Sequence, residues 1–419
     1  MSLPGIPATT FGRASAIRRS LLVLNVIGIG LNPLLGAQQR PVADPPGQYD
    51  EAKVPQYTLP DPLLLLNGKK VTSTRAWRKQ RRPEILKLFE TNVYGRTMVG
   101  RPRAMTWEVT TNDPSAVPGT SAAKTVTIYF AGKKEDGPDK NAPKMVLQIL
   151  LPAHARKPIP VFLMPTTFHR IPQQVLDRGY GFVSFDPTSV EADNRNGYAG
   201  SVRAFFAPPN QKEPVPQEWG AIGAWAWAMS RAMDYLVTDP DIDAKRVSIV
   251  GVSRYGKVTM WAGAQDERFA IVFSGESGCG GANLVRRQFG ETVKSITATF
   301  PYWFDGTFKS YGDRVNELPV DWHMLIALMA PRPVYIATAE QDHWGDPRGS
   351  FLAAKAAEPV YALFGEPGLG VEDMPAVATP VGDWIGFHNR KGSHGIDDYD
   401  WEQFLNFADR HFGISRASQ

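Results

Sequence analysis

Apolar positions change rhythm along this chain. From residue 105 they alternate with polar ones, as in Met105-Thr-Trp-Glu-Val-Thr and Lys124-Thr-Val-Thr-Ile-Tyr-Phe, and Lys144-Met-Val-Leu-Gln-Ile-Leu-Leu-Pro follows a polar loop at Gly132 to Pro143. Successive strand side chains point to opposite faces, so this alternation predicts an antiparallel edge region. Further on the apolar runs become continuous. Ile159 to Pro165, Tyr180 to Asp186, Phe269 to Ser274 and Arg332 to Ala339 read as strands, the first two plainly of the buried parallel kind. Helical segments separate them. Trp77 to Tyr94 is amphipathic, Gln173 to Arg178 is short, and Trp219 to Leu236 has so little polar surface that it must pack on the sheet. Tyr399 to Phe412 is a terminal helix. Strands alternating with helices imply a mostly parallel sheet with right-handed crossovers. No internal repeat interrupts the pattern, which predicts one domain over residues 61–419.

One junction stands out. The run Arg246 to Val252 is rich in β-branched residues and ends at Ser253, between Gly251 and Gly256, and Lys257 to Gln265 reads as a helix. A serine on a sharp strand-to-helix bend is the nucleophile elbow of α/β-hydrolases, a three-layer αβα sandwich around a mostly parallel sheet. A Cβ at Gly251 or Gly256 is expected to collide with neighbouring backbone. The usual spacing is G-x-S-x-G; here the second glycine comes one place later.

A serine hydroxyl needs a base, usually a histidine held by a carboxylate, and in this fold the chain order is Ser, acid, His. His323, His343, His388, His394 and His411 follow Ser253. His394, in the loop Lys391 to Gly395 before the last helix, is the predicted base, with His388 the runner-up. Two carboxylates compete to orient it: Asp342, after the strand ending at Ala339, and Glu276, boxed by Gly275, Gly278, Gly280 and Gly281. A helix cap or a surface charge is the structural alternative for each. Arg254 follows the nucleophile, where the backbone N–H serves the oxyanion hole and a charged side chain adds to it. Lys257 sets a cation against the helix dipole, which points either to an oxygen-rich ligand or to a salt bridge with a nearby acid. A second oxyanion donor is expected from Pro165-Thr-Thr-Phe-His169. The long loop Pro187 to Glu218, with Tyr198, Phe205 and Phe206, is a predicted pocket builder.

Composition narrows the classes. With 46 basic and 42 acidic residues the net charge is +4, and no dense basic patch marks a nucleic-acid partner. The single cysteine, Cys279, excludes an intrachain disulfide and reads as a small buried residue. Eleven tryptophans serve core packing, or in part platforms for sugar rings. Arg13, Arg18 and Arg19 precede the apolar run Leu21 to Leu35, with Ala37 as a cleavage residue. This predicts a signal peptide over 1–37, by Sec or twin-arginine export, and a proline-rich extended arm or linker over 38–60. Export without disulfides fits a bacterial periplasm or exterior. No later stretch is apolar enough to span a bilayer.

Gly251-x-Ser253-Arg254-x-Gly256-Lys257 resembles the G-C-S-R-x-G-K motif of the glucuronoyl esterases, carbohydrate esterase family fifteen, and so accounts for the displaced glycine. Glu276-Ser-Gly-Cys-Gly-Gly, Trp219-Gly-Ala-Ile-Gly-Ala-Trp-Ala-Trp, Ala330-Pro-Arg332 and His394-Gly395 match as well, strongly over Trp219 to Phe412. The resemblance implies a serine esterase, without metal or other cofactor, that cleaves esters of glucuronic or 4-O-methylglucuronic acid between glucuronoxylan and lignin alcohols. It implies Ser253 as nucleophile, His394 as base, Glu276 or Asp342 as acid, Arg254 at the oxyanion, Lys257 and Trp344 at the sugar, and Glu291 beside them. A secreted monomer is expected. Val252 stands where fungal members carry a disulfide cysteine, which favours a bacterial type, and Phe168-His-Arg170 replaces a glycine- and asparagine-bearing loop. The alternatives are a related esterase acting on acetyl or other uronate esters, and a non-catalytic carbohydrate-binding protein on the same scaffold.

Overall fold

The computed structural model describes residues 44–133, 137–139, 142–167 and 171–414. The leader, residues 38–43 of the arm and Phe168 to Arg170 lie outside them. A nine-stranded sheet runs through the molecule. Its strands are β1 (Thr106–Asn112), β2 (Thr120–Tyr129), β3 (Lys144–Pro152), β4 (Ile159–Pro165), β5 (Gly181–Phe185), β6 (Ile242–Val252), β7 (Ile271–Gly275), β8 (Val334–Ala339) and β9 (Ile385–Arg390). Their spatial order is β1-β2-β3-β5-β4-β6-β7-β8-β9. The first three strands pair antiparallel, as their alternation predicts, β3 also pairs antiparallel with β5, and every pairing from β5 through β4 to β9 is parallel.

Helices cover both faces. Along the central strands, neighbouring residues part company: Val161, Leu163, Ile249, Val272 and Ile336 join the larger apolar cluster, while Phe162, Val250, Phe273 and Tyr335 join a second one. The larger contains α2 (Ala221–Leu236), α3 (Arg254–Gln265) and α4 (Pro347–Leu363); α1 (Arg82–Phe89) adds Ile85 and Phe89. The second contains Trp401, Phe404 and Phe407 of α5 (Asp398–Phe412). Every residue of α2 except Ser230 is buried, as its lack of a polar face requires. Eight of the eleven tryptophans are buried, so packing accounts for most of them. No helix among the described residues is long and apolar enough to cross a membrane.

Two differences from the sequence pattern bear on function. Helix α3 begins at Arg254, not Lys257, so it starts immediately after Ser253. And β9 is a strand that the pattern does not predict, because Ile-Gly-Phe-His-Asn-Arg mixes polar and apolar residues. All six are buried, and the polar ones find partners. His388 Nε2 bonds Asp400 Oδ1 at 2.9 Å and its Nδ1 meets Tyr335 Oη at 3.0 Å. Arg390 Nε donates to Asp400 Oδ2 at 2.7 Å, and its Nη2 donates to Glu276 Oε1 at 2.6 Å and to the carbonyls of Ser393 and Gly395 at 2.9 Å.

The arm lies along the domain. Gly290 N donates to Gln48 O at 2.8 Å, Arg287 Nη2 to Glu51 Oε1 at 2.6 Å, and Asp44 Oδ2 meets His343 Nδ1 at 2.9 Å.

A methyl group at Gly251 would overlap the Tyr255 backbone, which cannot give way. Gly251→Ala is therefore expected to cost about 3 kcal/mol or more, measured by chemical denaturation. Arg390→Gln leaves buried Glu276 and Asp400 without their cation; the same measurement should show a loss of about 3–5 kcal/mol, with faster amide exchange at Gly392 to Gly395.

Candidate active site

Ser253 sits at the bend with φ 60° and ψ −129°, in a region that L-residues rarely occupy. Its N–H donates to Gly275 O at 2.9 Å, tying the bend to the end of β7. Gly256 is needed for the same approach: a Cβ there would come within 2.9 Å of Gly275 O and 2.8 Å of Ser277 Cβ. As the first residue of α3, Arg254 has no intrahelical acceptor for its N–H. Thr166 N, by contrast, is bonded to Phe185 O at 2.9 Å, which removes it as a second oxyanion donor.

His394 approaches from the loop after β9. Its Nδ1 lies 2.9 Å from Asp342 Oδ2 and 3.3 Å from Glu276 Oε2. Both carboxylates are buried and the imidazole is half-exposed. Burial alone would lower the His394 pKa. The hydrogen bond to Asp342 and the charges of Asp342 and Glu276 outweigh it, against opposition from Lys257, and hold the imidazole above its ordinary value. The two acids are not equivalent. Glu276 sits at φ 45° at the end of β7, with Oε1 on Arg390 and Oε2 accepting the Gly395 N–H. Burial pushes its pKa up to about 8, against the charges of Arg390 and His394. Glu276 thus anchors the loop that carries His394, whereas Asp342 makes the shorter contact with the ring. Glu276, Asp342 and His394 each offer one ligand atom within 4.8 Å of the others, close enough to share a cation. The Arg390 guanidinium already supplies positive charge there.

A cleft of about 290 Å³ opens over these groups, lined by Ser253, Arg254, Lys257, Glu276, Glu291, Asp342, Trp344 and His394. All eight residues singled out from the sequence line it. His388 does not; it is a core residue of β9. The buried Lys257 ammonium donates to Glu291 Oε2 at 3.0 Å and to the carbonyls of Ser277 and Cys279 at 2.7 Å. The cation against the helix dipole is therefore held by a neighbouring acid, Glu291, at the edge of the cleft. Cys279 is buried, which raises its thiol pKa well above the usual range, so it is no nucleophile.

Asp193 and Trp303 are absent from the sequence reading. Asp193 Oδ2 accepts from Arg254 Nη1, and its Oδ1 accepts from Tyr302 Oη and Trp303 Nε1, both at 2.8 Å. The guanidinium lies 5.2 Å from the Trp303 ring centroid and 5.8 Å from that of Phe300. Asp193 belongs to the long loop expected to build a pocket, which was the one signal for it. Ser253, Arg254 and His394 also line a further hollow of about 510 Å³, together with Met164, Val252, Tyr255 and Ile396.

Comparison with known proteins agrees with this geometry. The family model for fungal glucuronyl esterases matches residues 138–365. Carbohydrate esterase MZ0003, from an unknown prokaryotic organism, is 40% identical over 88% of this chain and 93% of its own. A 4-O-methyl-glucuronoyl methylesterase of Phanerochaete carnosa is 26% identical over 74% of this chain and 73% of its own. The solved glucuronoyl esterase from Solibacter usitatus superposes with a TM-score of 0.81 at 43% identity, covering 86% of this chain and 100% of that one. An elbow serine, a carboxylate-held histidine and these relatives agree: the chain belongs to the glucuronoyl esterases of carbohydrate esterase family 15, carboxylic ester hydrolases of the α/β-hydrolase fold.

Proposed function

We propose that this enzyme hydrolyses esters of D-glucuronic or 4-O-methyl-D-glucuronic acid, as in the linkage between glucuronoxylan and lignin alcohols. The observation that carries the reading is the shared cleft: Ser253, His394 on Asp342, and the buried Lys257–Glu291 pair all line it. Ser253 Oγ attacks the C6 carbonyl and passes its proton to His394 Nε2. Asp342 holds Nδ1–H, which leaves the Nε2 lone pair for this step. The oxyanion forms against the Arg254 N–H and guanidinium. His394 returns the proton to the leaving alcohol, then draws a proton from water as it attacks the acyl-enzyme. The uronic acid leaves and Ser253 regains its hydrogen. Glu291, its charge balanced by the buried Lys257, offers carboxylate oxygens to sugar hydroxyls, with Trp344 as a flanking face. Residues 1–37 direct export, residues 38–60 form the arm, and residues 61–419 act as one catalytic domain, working as a monomer in the periplasm or outside the cell.

Ser253→Ala is expected to abolish release of methanol from methyl glucuronate, and the wild-type enzyme should prefer that ester to methyl galacturonate and to acetylated xylan. Retained release by the variant would falsify the nucleophile assignment. Asp342→Asn should lower kcat by about 10²–10⁴-fold, with a smaller loss for Glu276→Gln. The base works only when neutral and its pKa is raised, so the acid limb of the rate profile should lie above ordinary imidazole. Asp342→Asn removes the bond and the charge that raise it, and the limb should move to lower pH. Equal activity in wild type and both acid variants would refute the triad.

A further inference from the structure

The cations around Ser253 are matched one by one with carboxylates. Lys257 has Glu291, and Arg390 has Glu276 and Asp400. His394, when protonated, has Asp342. Arg254, the residue after the nucleophile, has Asp193, a group that the esterase mechanism does not use. Asp193 Oδ2 accepts from Arg254 Nη1, and Oδ1 accepts from Tyr302 Oη and Trp303 Nε1, both at 2.8 Å. Three donors on one carboxylate favour its charged form and fix its place. The loop that carries it is fixed as well. Two residues earlier, Glu191 is buried with its Oε2 accepting from Arg203 Nε at 2.7 Å, and Trp225 Nε1 of α2 donates to Glu191 O at 2.9 Å.

An aromatic slab completes the clamp. Phe300 and Trp303 stack with ring centroids 3.8 Å apart and planes 3° from parallel, and the Arg254 guanidinium lies over both. Its side chain remains partly exposed and lines both hollows that meet at Ser253. Hydrolysis changes the charge at this point. The ester is neutral at C6, whereas the uronic acid it yields is an anion at neutral pH with two equivalent oxygens. A bare guanidinium would hold such a carboxylate through two parallel hydrogen bonds. Asp193 occupies Nη1 and offsets the charge, so the product meets no unmatched cation. The transition-state oxyanion also receives the Arg254 backbone N–H, which Asp193 leaves free.

We propose that Asp193 is a positioning residue that, acting through Arg254, makes the cleft prefer the uronate ester to the free uronate and so releases the product. The proposal rests on the uronoyl-ester reading and adds how that site tells substrate from product. The distinction matters on a polymer. Each turnover leaves a free uronate on the chain that carries the remaining esters, and a cleft that bound it would stay occupied by its own product.

The test measures inhibition of methyl glucuronate hydrolysis by glucuronate and by glucuronamide, its uncharged isostere, on the full-length enzyme at neutral pH. The wild type should bind glucuronamide at least as tightly as glucuronate. Asp193→Asn keeps the shape and removes the charge. It should lower Ki for glucuronate by about 10-fold at low salt and leave Ki for glucuronamide within about 2-fold. About 0.5 M salt should narrow the shift, because Arg254 is partly exposed. Tyr302→Phe loosens the clamp without changing its charge, and Asp373→Asn makes the same charge change at an exposed residue; neither should move the ratio of the two Ki values. A purely structural role for Asp193 would shift both inhibitors together. Such a parallel shift, an unchanged glucuronate Ki in Asp193→Asn, or a ratio moved as far by either control overturns the proposal. Should Asp193→Asn fail to fold, tighter binding of glucuronate than of glucuronamide by the wild type overturns it without a variant. A wild-type enzyme that leaves methyl glucuronate intact overturns the uronoyl-ester reading instead.

Discussion

The arrangement around Ser253 depends on one buried guanidinium. Arg390 ends the last parallel strand with its side chain facing Asp400, Glu276 and the carbonyls of the loop that carries His394. A glycine-rich loop such as Lys391 to Gly395 has many backbone states open to it, and Arg390 removes them by satisfying its acceptors in one geometry. Glu276 closes the loop from the other side by taking the Gly395 N–H. Desolvating so much charge is costly, and it is tolerated because almost every donor and acceptor has a partner. The base is thus held from behind by an arginine and a glutamate, and from the front by Asp342.

The division of labour between two carboxylates explains why the sequence leaves the acid open. Glu276 and Asp342 each follow a parallel strand, β7 and β8, which are neighbours in the sheet. Adjacent strand ends bring both side chains to the same imidazole, so position along the chain cannot rank them. What ranks them is Arg390, and β9 is the element that the hydrophobic pattern misses. Its polar residues read as a loop because a strand buried on both faces is expected to be apolar; here a closed polar network replaces that requirement. His388, the runner-up base because it lies only six residues before His394, is one of that network's buried members.

Other parts of the site were legible because local sterics dictate them. Gly251 and Gly256 report on a bend where a methyl group has no room, and Ser253 between them is forced to positive φ. The cation at Lys257 pointed either to an oxygen-rich ligand or to a nearby acid, and Glu291 is that acid. The grip of Asp193 on Arg254 was not legible, since it joins positions 61 residues apart through a loop without regular period. The pattern identified the loop as pocket-forming and had no means of choosing one aspartate within it.

The arm has a consequence for how the enzyme comes into being. Asp44 and Pro45 line the catalytic cleft, and the arm's anchors lie far away in the chain: Asp44 meets His343 across 299 residues and Glu51 meets Arg287 across 236. These segments are made more than 200 residues before their partners. Closing so long a loop late is slow compared with forming local helices. One wall of the cleft therefore stays open until most of the chain exists, and assembly of the substrate site becomes a report that the whole domain has folded.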